Sequence, residues 1–259
     1  MRPIGERTIL VTGSSDGHGK LVARELADRG ATLLVHGRQR RNTEAAAEEI
    51  GAARALVADL ASLDEVSRLA DQVDELDTLV NNAGVIVPER RESADGHELT
   101  FAVNYLSHFL LTRLLLPKLR EPARIVNVSS IGQDPLDFDD LGYERDYNAY
   151  FAYARSKLAQ IMFTIELAER LDGRDITVNA LHPATLMDTK MVTGSGVPPR
   201  SWVEEGAAAT LRLVTDPELD GVSGRFYDGT RESSVGGQAY DAAARRRLWQ
   251  VSEELTGTA

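Results

Sequence analysis

Apolar positions along this chain fall into two alternating registers. Short β-branched or apolar runs at Thr8 to Val11, Thr32 to His36, Ala53 to Ala58, Thr78 to Val80, Arg124 to Val128, Thr177 to Leu181 and Arg225 to Tyr227 alternate with longer stretches of helical period. Lys20 to Arg29 gathers Leu21, Val22, Ala23, Leu26 and Ala27 on one side, and Ser62 to Val73 does so with Leu63, Val66, Leu69 and Ala70. Further helices are expected over 204–215 and from Tyr240 to Leu255. Strands that are apolar almost throughout must be covered on both faces, and strict β–α alternation does this with helices above and below a parallel sheet. The pattern predicts an α/β fold, a doubly wound three-layer sandwich on a parallel sheet of about seven strands, forming a single domain over 1–259. Two segments, about 132–148 and about 185–205, carry Asp, Gly, Pro and Tyr in place of periodic apolar residues and read as loops. Both follow strands, so both should rise from the carboxyl edge of the sheet, where open α/β sheets bind ligands.

The first such edge carries Thr12-Gly13-Ser14-Ser15-Asp16-Gly17-His18-Gly19 between a strand and a helix. Glycines let the backbone turn tightly and bring the helix N-terminus, with its free N–H groups and dipole, against a pyrophosphate. Gly13, Ser15, Asp16, Gly17, His18 and Gly19 are therefore candidate dinucleotide contacts on a Rossmann-type fold; the plainer reading is an ordinary βα turn. The segment formally satisfies a nucleophile elbow, but only twelve residues precede Gly13, too few for the strands an elbow requires. A P-loop is excluded because Leu21, not Ser or Thr, follows Lys20.

Strand two ends at His36-Gly37-Arg38 with no carboxylate for ribose hydroxyls. Arg38, Arg40 and Arg41 cluster there instead, and a guanidinium fork suits a 2′-phosphate. NADP(H) is thus preferred over NAD(H), although Asp16 would repel that phosphate and the arginines also fit a basic helix start. The net charge of −11 excludes a nucleic-acid partner on electrostatic grounds. With no cysteine there is no disulfide, thiolate nucleophile or Cys-ligated zinc, and His18, His36, His97, His108 and His182 show no ligand spacing, so no metal is expected. A cytoplasmic location and the absence of a signal peptide or membrane span are further expectations: a strand begins at Thr8, and the most apolar stretch, Phe109 to Leu119, contains Arg113, Pro117 and Lys118.

Tyr153 and Lys157 stand one helical turn apart, phenol and ammonium on one face. A phenol of pKa about 10 needs a depression of roughly 3 units, on the order of 4 kcal/mol, to do acid–base work near neutrality, and an adjacent cation supplies part of it. Alone, the pair also fits an ordinary helix surface. It follows, in order, the glycine turn, Asn81-Asn82-Ala83-Gly84 closing strand four, Asn104 in a helix, and Ser129-Ser130 closing strand five.

With these motifs in this order the chain resembles the short-chain dehydrogenase/reductases over essentially its whole length. The resemblance implies that Asp59 and the adjoining Leu60 meet the adenine, that Asn81, Ala83 and Gly84 line the adenosine ribose side, and that Asn104, Ser130, Tyr153 and Lys157 form the catalytic group, Asn104 fixing a water. It selects Ser130 over Ser129. It also implies carboxamide-side contacts at Pro183, Leu186 and Thr189, although His182-Pro183-Ala184-Thr185 departs from the family's Pro-Gly and sets Thr189 one residue late. His18 replaces a small aliphatic residue and either bonds a cofactor phosphate or packs under the nicotinamide. The 22 residues between Ser130 and Tyr153 exceed the family's usual spacing and resemble the retinol-dehydrogenase-like branch. The expected activity is hydride transfer between NADP(H) and a carbonyl or secondary alcohol, with Leu186, Met187, Met191, Val192, Val197 and Trp202 forming a lid over a lipophilic or polycyclic small molecule, or else packing on the domain. A non-catalytic NADP sensor would lack the Tyr-Lys pair, and a nucleotide-sugar epimerase or dehydratase would need more chain after Gly206. Homodimers or homotetramers through the helices around Asn104 and Tyr153 are the family's usual association.

Overall fold

In the computed structural model, which describes residues 1–194 and 196–258, eight strands form one sheet in the order β3-β2-β1-β4-β5-β6-β7-β8. The elements alternate as expected: β1 (Thr8–Val11), α1 (Gly17–Asp28), β2 (Thr32–Gly37), α2 (Arg40–Ile50), β3 (Arg54–Val57), α3 (Leu63–Asp71), β4 (Leu76–Asn81), α4 (Leu99–Phe101), α5 (Ser107–Leu115), β5 (Leu119–Val128), α6 (Ala149–Arg170), β6 (Ile176–His182), α7 (Lys190–Thr193), α8 (Val203–Thr215), β7 (Phe226–Asp228), β8 (Arg231–Glu232) and α9 (Ala242–Thr256). Strands β1 to β7 pair in parallel, and β8 returns antiparallel to β7. The expected parallel sheet of about seven strands is present, with a short eighth strand added at its edge. The two residues of β8 are both exposed, so no hydrophobic alternation marks it.

Strand parity builds two cores. Leu10 and Leu79 face a cluster with Phe109, Phe163 and Trp249, while Ile9, Val11 and Val80 face one with Val22, Leu26 and Leu213. Each fully buried Leu or Phe contributes about 1.5–3 kcal/mol. Local chemistry sets the helix ends: Asp16 caps α1 by accepting from Gly17 N, Asn148 caps α6 through Tyr150 N and Phe151 N, and Gly51, with φ 72°, closes α2 in the left-handed region. The stretch Leu99–Lys118 is apolar and long enough to cross a membrane by composition, but 78% of its most apolar window is buried inside the fold.

Helix α9 packs against α5 and α6. Trp249 packs 5.1 Å from Phe109 and 5.9 Å from Phe163, centroid to centroid, and Tyr105 Oη lies 2.7 Å from Ser252 Oγ. Arg113 pairs with Glu253 at 2.5 Å and Arg245 with Glu169 at 2.5 Å.

Candidate active site

A cleft of about 630 Å³ opens at the carboxyl edge between β1 and β4, where the strand order reverses. Its first wall is the glycine turn, which the end of β4 forces to be glycine. A Cβ on Gly13, whose φ is +63°, would stand 2.8 Å from Ala83 Cα, and one on Gly19 would stand 2.3 Å from Asn82 Nδ2. Hydrogen bonds complete the seam: Thr12 Oγ1 accepts from Asn82 N at 2.9 Å and Ala83 N at 3.0 Å, and Asn82 Nδ2 donates to Thr12 O at 2.7 Å. Asn82, not Asn81, lines the cleft. Asn81 shares the face of Leu79 by strand parity, is fully buried, and donates through Nδ2 to Thr112 Oγ1 at 3.0 Å and Asn127 Oδ1 at 2.8 Å.

His18 lines the cleft but has no nitrogen left for a phosphate. Its Nδ1 lies 2.8 Å from Asn82 Oδ1 and its Nε2 3.1 Å from Thr210 Oγ1. Since Asn82 turns its NH2 toward Thr12, its oxygen must accept, so Nδ1 carries the proton, while Nε2 faces a Thr210 hydroxyl that also reaches Gly206 O at 3.0 Å. Burial lowers its pKa and keeps the ring neutral. His36, which sequence reasoning passed over, plays a parallel part: Nδ1 accepts from Gly13 N at 3.1 Å and Nε2 donates to Ala58 O at 3.2 Å, with burial holding its pKa down at about 4. Both histidines brace the turn.

The far rim holds Arg38, Asp59 and Leu60. Arg38 is exposed and, among the described residues, makes no ion pair, whereas Arg40 pairs with Glu44 at 3.2 Å. Asp16 does not stand as an isolated anion, because Lys190 from α7 pairs with it. Asp59 Oδ1 accepts from Ala61 N at 3.0 Å.

At the other end Ser130 and Tyr153 line the cleft together, and Ser130 Oγ accepts from Gly132 N at 3.0 Å. Ser129 turns away and donates to Lys157 O at 2.8 Å, a packing role. The Tyr153 pKa is raised, first by burial and slightly by Tyr150, against a lowering from Ser130. Lys157 is not among the groups that shift it. Burial, with no carboxylate nearby, brings Lys157 itself down to about 7, and its Nζ donates to Val128 O at 3.0 Å and Gln160 Oε1 at 2.9 Å while lying 5.5 Å from the Tyr153 ring centroid. A cation driven toward neutrality is a weak electrostatic partner.

Asn104 sits in a π-helical turn, Ala102–Leu106, and does not line the cleft. Its Oδ1 accepts from Val85 N at 2.8 Å and its Nδ2 donates to Val85 O at 3.0 Å and Ser156 Oγ at 2.9 Å. Both amide hydrogens are therefore committed to tying the post-β4 segment to α6. The water-holding role expected of its side chain reduces to one remaining oxygen lone pair.

The roof is the segment after β6. Pro183, Leu186, Met187, Thr189, Met191 and Val192 line the cleft, while Val197 and Trp202 point outward, Trp202 with 68% of its surface exposed. The expected apolar lid is thus only partly a lid. Leu186 holds φ +50°, and its carbonyl already accepts from Arg200 N at 2.9 Å. Thr189 caps α7 and lies over the glycine turn, 3.7 Å from where a Gly17 Cβ would be. Ile131 and Tyr150, both exposed, flank the mouth.

The cradle fits a nicotinamide dinucleotide: glycines press the backbone close, the α1 N-terminus offers first-turn amides, and a Gly84 Cβ would fill space 3.5 Å from Lys157 Nζ. Comparison with known proteins agrees with this geometry. The short chain dehydrogenase family model matches residues 7–197. Retinol dehydrogenase 13 of Mus musculus is 39% identical over 282 aligned residues, covering 98% of this chain and 84% of that protein; retinol dehydrogenase 14 of Homo sapiens is 37% identical, covering 97% and 86%. An uncharacterised protein of Mycobacterium paratuberculosis superimposes with a TM-score of 0.84 at 36% identity, covering 98% of this chain and 94% of that one. The RhlG/NADP active-site complex of Pseudomonas aeruginosa does so at 0.72 and 27% identity, covering 92% and 100%.

Proposed function

The chain belongs to the short-chain dehydrogenase family, in its retinol-dehydrogenase-like branch, and on that premise we propose that it reduces a lipophilic aldehyde or ketone with NADPH, reversibly. The observation that carries this reading is the convergence of Ser130, Tyr153 and Lys157 on one cleft beside the glycine turn, with Lys157 one turn further along α6 than Tyr153. Bound nicotinamide supplies the hydride. Tyr153, kept protonated by its raised pKa, donates its proton to the carbonyl oxygen, and Ser130 hydrogen-bonds that oxygen as charge develops. Lys157, whose Nζ stands 3.5 Å from where a Gly84 Cβ would be, would hold the nicotinamide ribose and so orient the cofactor. Arg38 is the residue proposed to meet a 2′-phosphate, with Asp16 neutralised by Lys190.

Leu186, Met187, Met191, Ile131 and Tyr150 give the substrate end an apolar lining, which suits a polyene or polycyclic carbonyl. The relatives named retinol dehydrogenases extend the class to a retinoid aldehyde. NADPH and NADH oxidation with retinal, a steroid ketone and acetone tests the proposal. Turnover of either large substrate with NADPH and none of acetone is the expected result; preference for acetone, or for NADH, would overturn the substrate or the cofactor assignment respectively.

A further inference from the structure

Helix α6 carries a polar stripe into an otherwise apolar interface: Tyr153, Lys157, Gln160 and Thr164, spaced four, three and four residues apart and so on one face. Gln160 and His108 are each 1% exposed and neither touches the cleft, yet Gln160 Oε1 accepts from Lys157 Nζ at 2.9 Å and Gln160 Nε2 lies 2.9 Å from His108 Nδ1. With Lys157 Nζ donating to the amide oxygen, the amide NH2 faces His108, so Nδ1 accepts and the ring is the neutral Nε2–H tautomer. That tautomer leaves Nε2 buried with no partner, a cost of about 1–3 kcal/mol for an orphaned donor. Burial keeps His108 neutral, at a pKa of about 3, with Lys157 and His36 adding to the effect. A protonated His108 would turn a second N–H against the amide and reverse it.

We infer that Gln160, its amide oriented by His108, is the positioning residue that holds Lys157 Nζ at the cleft floor, an inference that rests on the proposed role of Lys157. The amide oxygen stabilises the ammonium without the full countercharge of a carboxylate, and two acceptors, Val128 O and Gln160 Oε1, leave one ammonium hydrogen toward the space beside Gly84. The titratable groups facing Lys157 are Tyr153 on its own helix and His108 on α5; Val128 and Ser129 on β5 and Gly84 after β4 contribute none.

The chain has only four lysines, Lys20, Lys118, Lys157 and Lys190, so the Lys157 side chain can be titrated by NMR with labelled lysine. Gln160→Leu should lower its midpoint by about one unit and Gln160→Glu should raise it, moving the pH profile of kcat in the same directions. His108→Phe should shift it the same way as Gln160→Leu, by less. NADPH affinity, read by fluorescence, should fall about tenfold in Gln160→Leu, the equivalent of one hydrogen bond to a charged group. If Gln160→Leu loses activity while the lysine midpoint stays put, Gln160 is packing only and the inference is overturned. Should Gln160→Leu not fold, the near-isosteric Gln160→Glu decides by the same titration: an unmoved midpoint rejects the inference. The lysine titration is independent of turnover, so a Tyr153→Phe enzyme that stays active would overturn the proposed function without affecting this outcome.

Discussion

The floor and the roof of the cleft are built by opposite means. The floor is carried on β1, β4, β5 and α6 and is saturated with hydrogen bonds among buried groups: Thr12 with Asn82 and Ala83, Asn104 with Val85 and Ser156, Lys157 with Val128 and Gln160. The roof, from Thr185 to Trp202, has a four-residue helix, exposed apolar side chains, and an exposed Lys190–Asp16 pair as its contact with the glycine turn. Reaction geometry needs precision and sits on rigid elements; admission of substrate needs movement and sits on a loop. Substitutions in the floor should therefore act on chemistry by orders of magnitude, and substitutions in the roof by small factors.

The largest effect belongs to Tyr153→Phe, which removes the proton donor: kcat should fall by at least ~10³-fold while NADPH affinity stays within about twofold, measured by steady-state kinetics and fluorescence titration. Lys157→Met should lower kcat and weaken NADPH binding together. It should also change stability in a defined pH window. The folded pKa of Lys157, about 7, lies below its ordinary 10.5, so between these values the unfolded chain holds a proton that the folded chain has released. Stability contributed by this site rises with pH across that window, by up to roughly 5 kcal/mol, and Lys157→Met should flatten the rise; urea midpoints from pH 7 to about 9, below tyrosine ionisation, would show it. An equal slope in both proteins would mean that Lys157 is not desolvated as the structure has it.

Gly19→Ala drives a Cβ to 2.3 Å from Asn82 Nδ2 and 2.5 Å from Gly13 O, so the turn must shift. A loss of ~1–3 kcal/mol in stability and a marked loss of dinucleotide affinity are expected, read by thermal melting with and without NADPH. Arg38→Ala should weaken NADPH about tenfold and leave NADH unchanged, since a guanidinium–phosphate hydrogen bond contributes ~1.5–3 kcal/mol in a sheltered site and the lower end applies at an exposed rim. The smallest change is Lys190→Ala. An exposed pair contributes under ~1 kcal/mol, so melting should be unaltered and only the NADPH release rate should rise, by about two- to fivefold and less at high salt. A tenfold or larger fall in kcat from Lys190→Ala would erase the contrast between floor and roof.

Much of the floor was legible in the order of residues. Strand–glycine–helix order and the Tyr153–Lys157 spacing are local patterns, set by backbone turns of fixed period, while Asn104 and Ser130 stood out through the resemblance to the family. What escaped was whatever depends on which face a residue takes at an element's end. Asn81 and Asn82 are chemically identical, and only the parity of β4 sends the first under the sheet and the second to the cleft. Parity carried from Leu79 and Val80 would have separated them. Gln160 lay on the Tyr153–Lys157 stripe, three residues on, but its significance depends on His108, fifty-two residues earlier on another helix. β8 left no hydrophobic trace at all.

The sequence by itself determined the α/β class, the glycine turn and the one-turn spacing of Tyr153 and Lys157, because hydrophobic period and steric demand act between near neighbours; the choice of Ser130 came from the resemblance to the family. Only the tertiary structure decided that α9 packs against α5 and α6, that both His18 and His36 are neutral braces, and that Tyr153 is held protonated beside a desolvated lysine. Those outcomes depend on burial and on partners distant in the chain, and burial is a property of the packed whole.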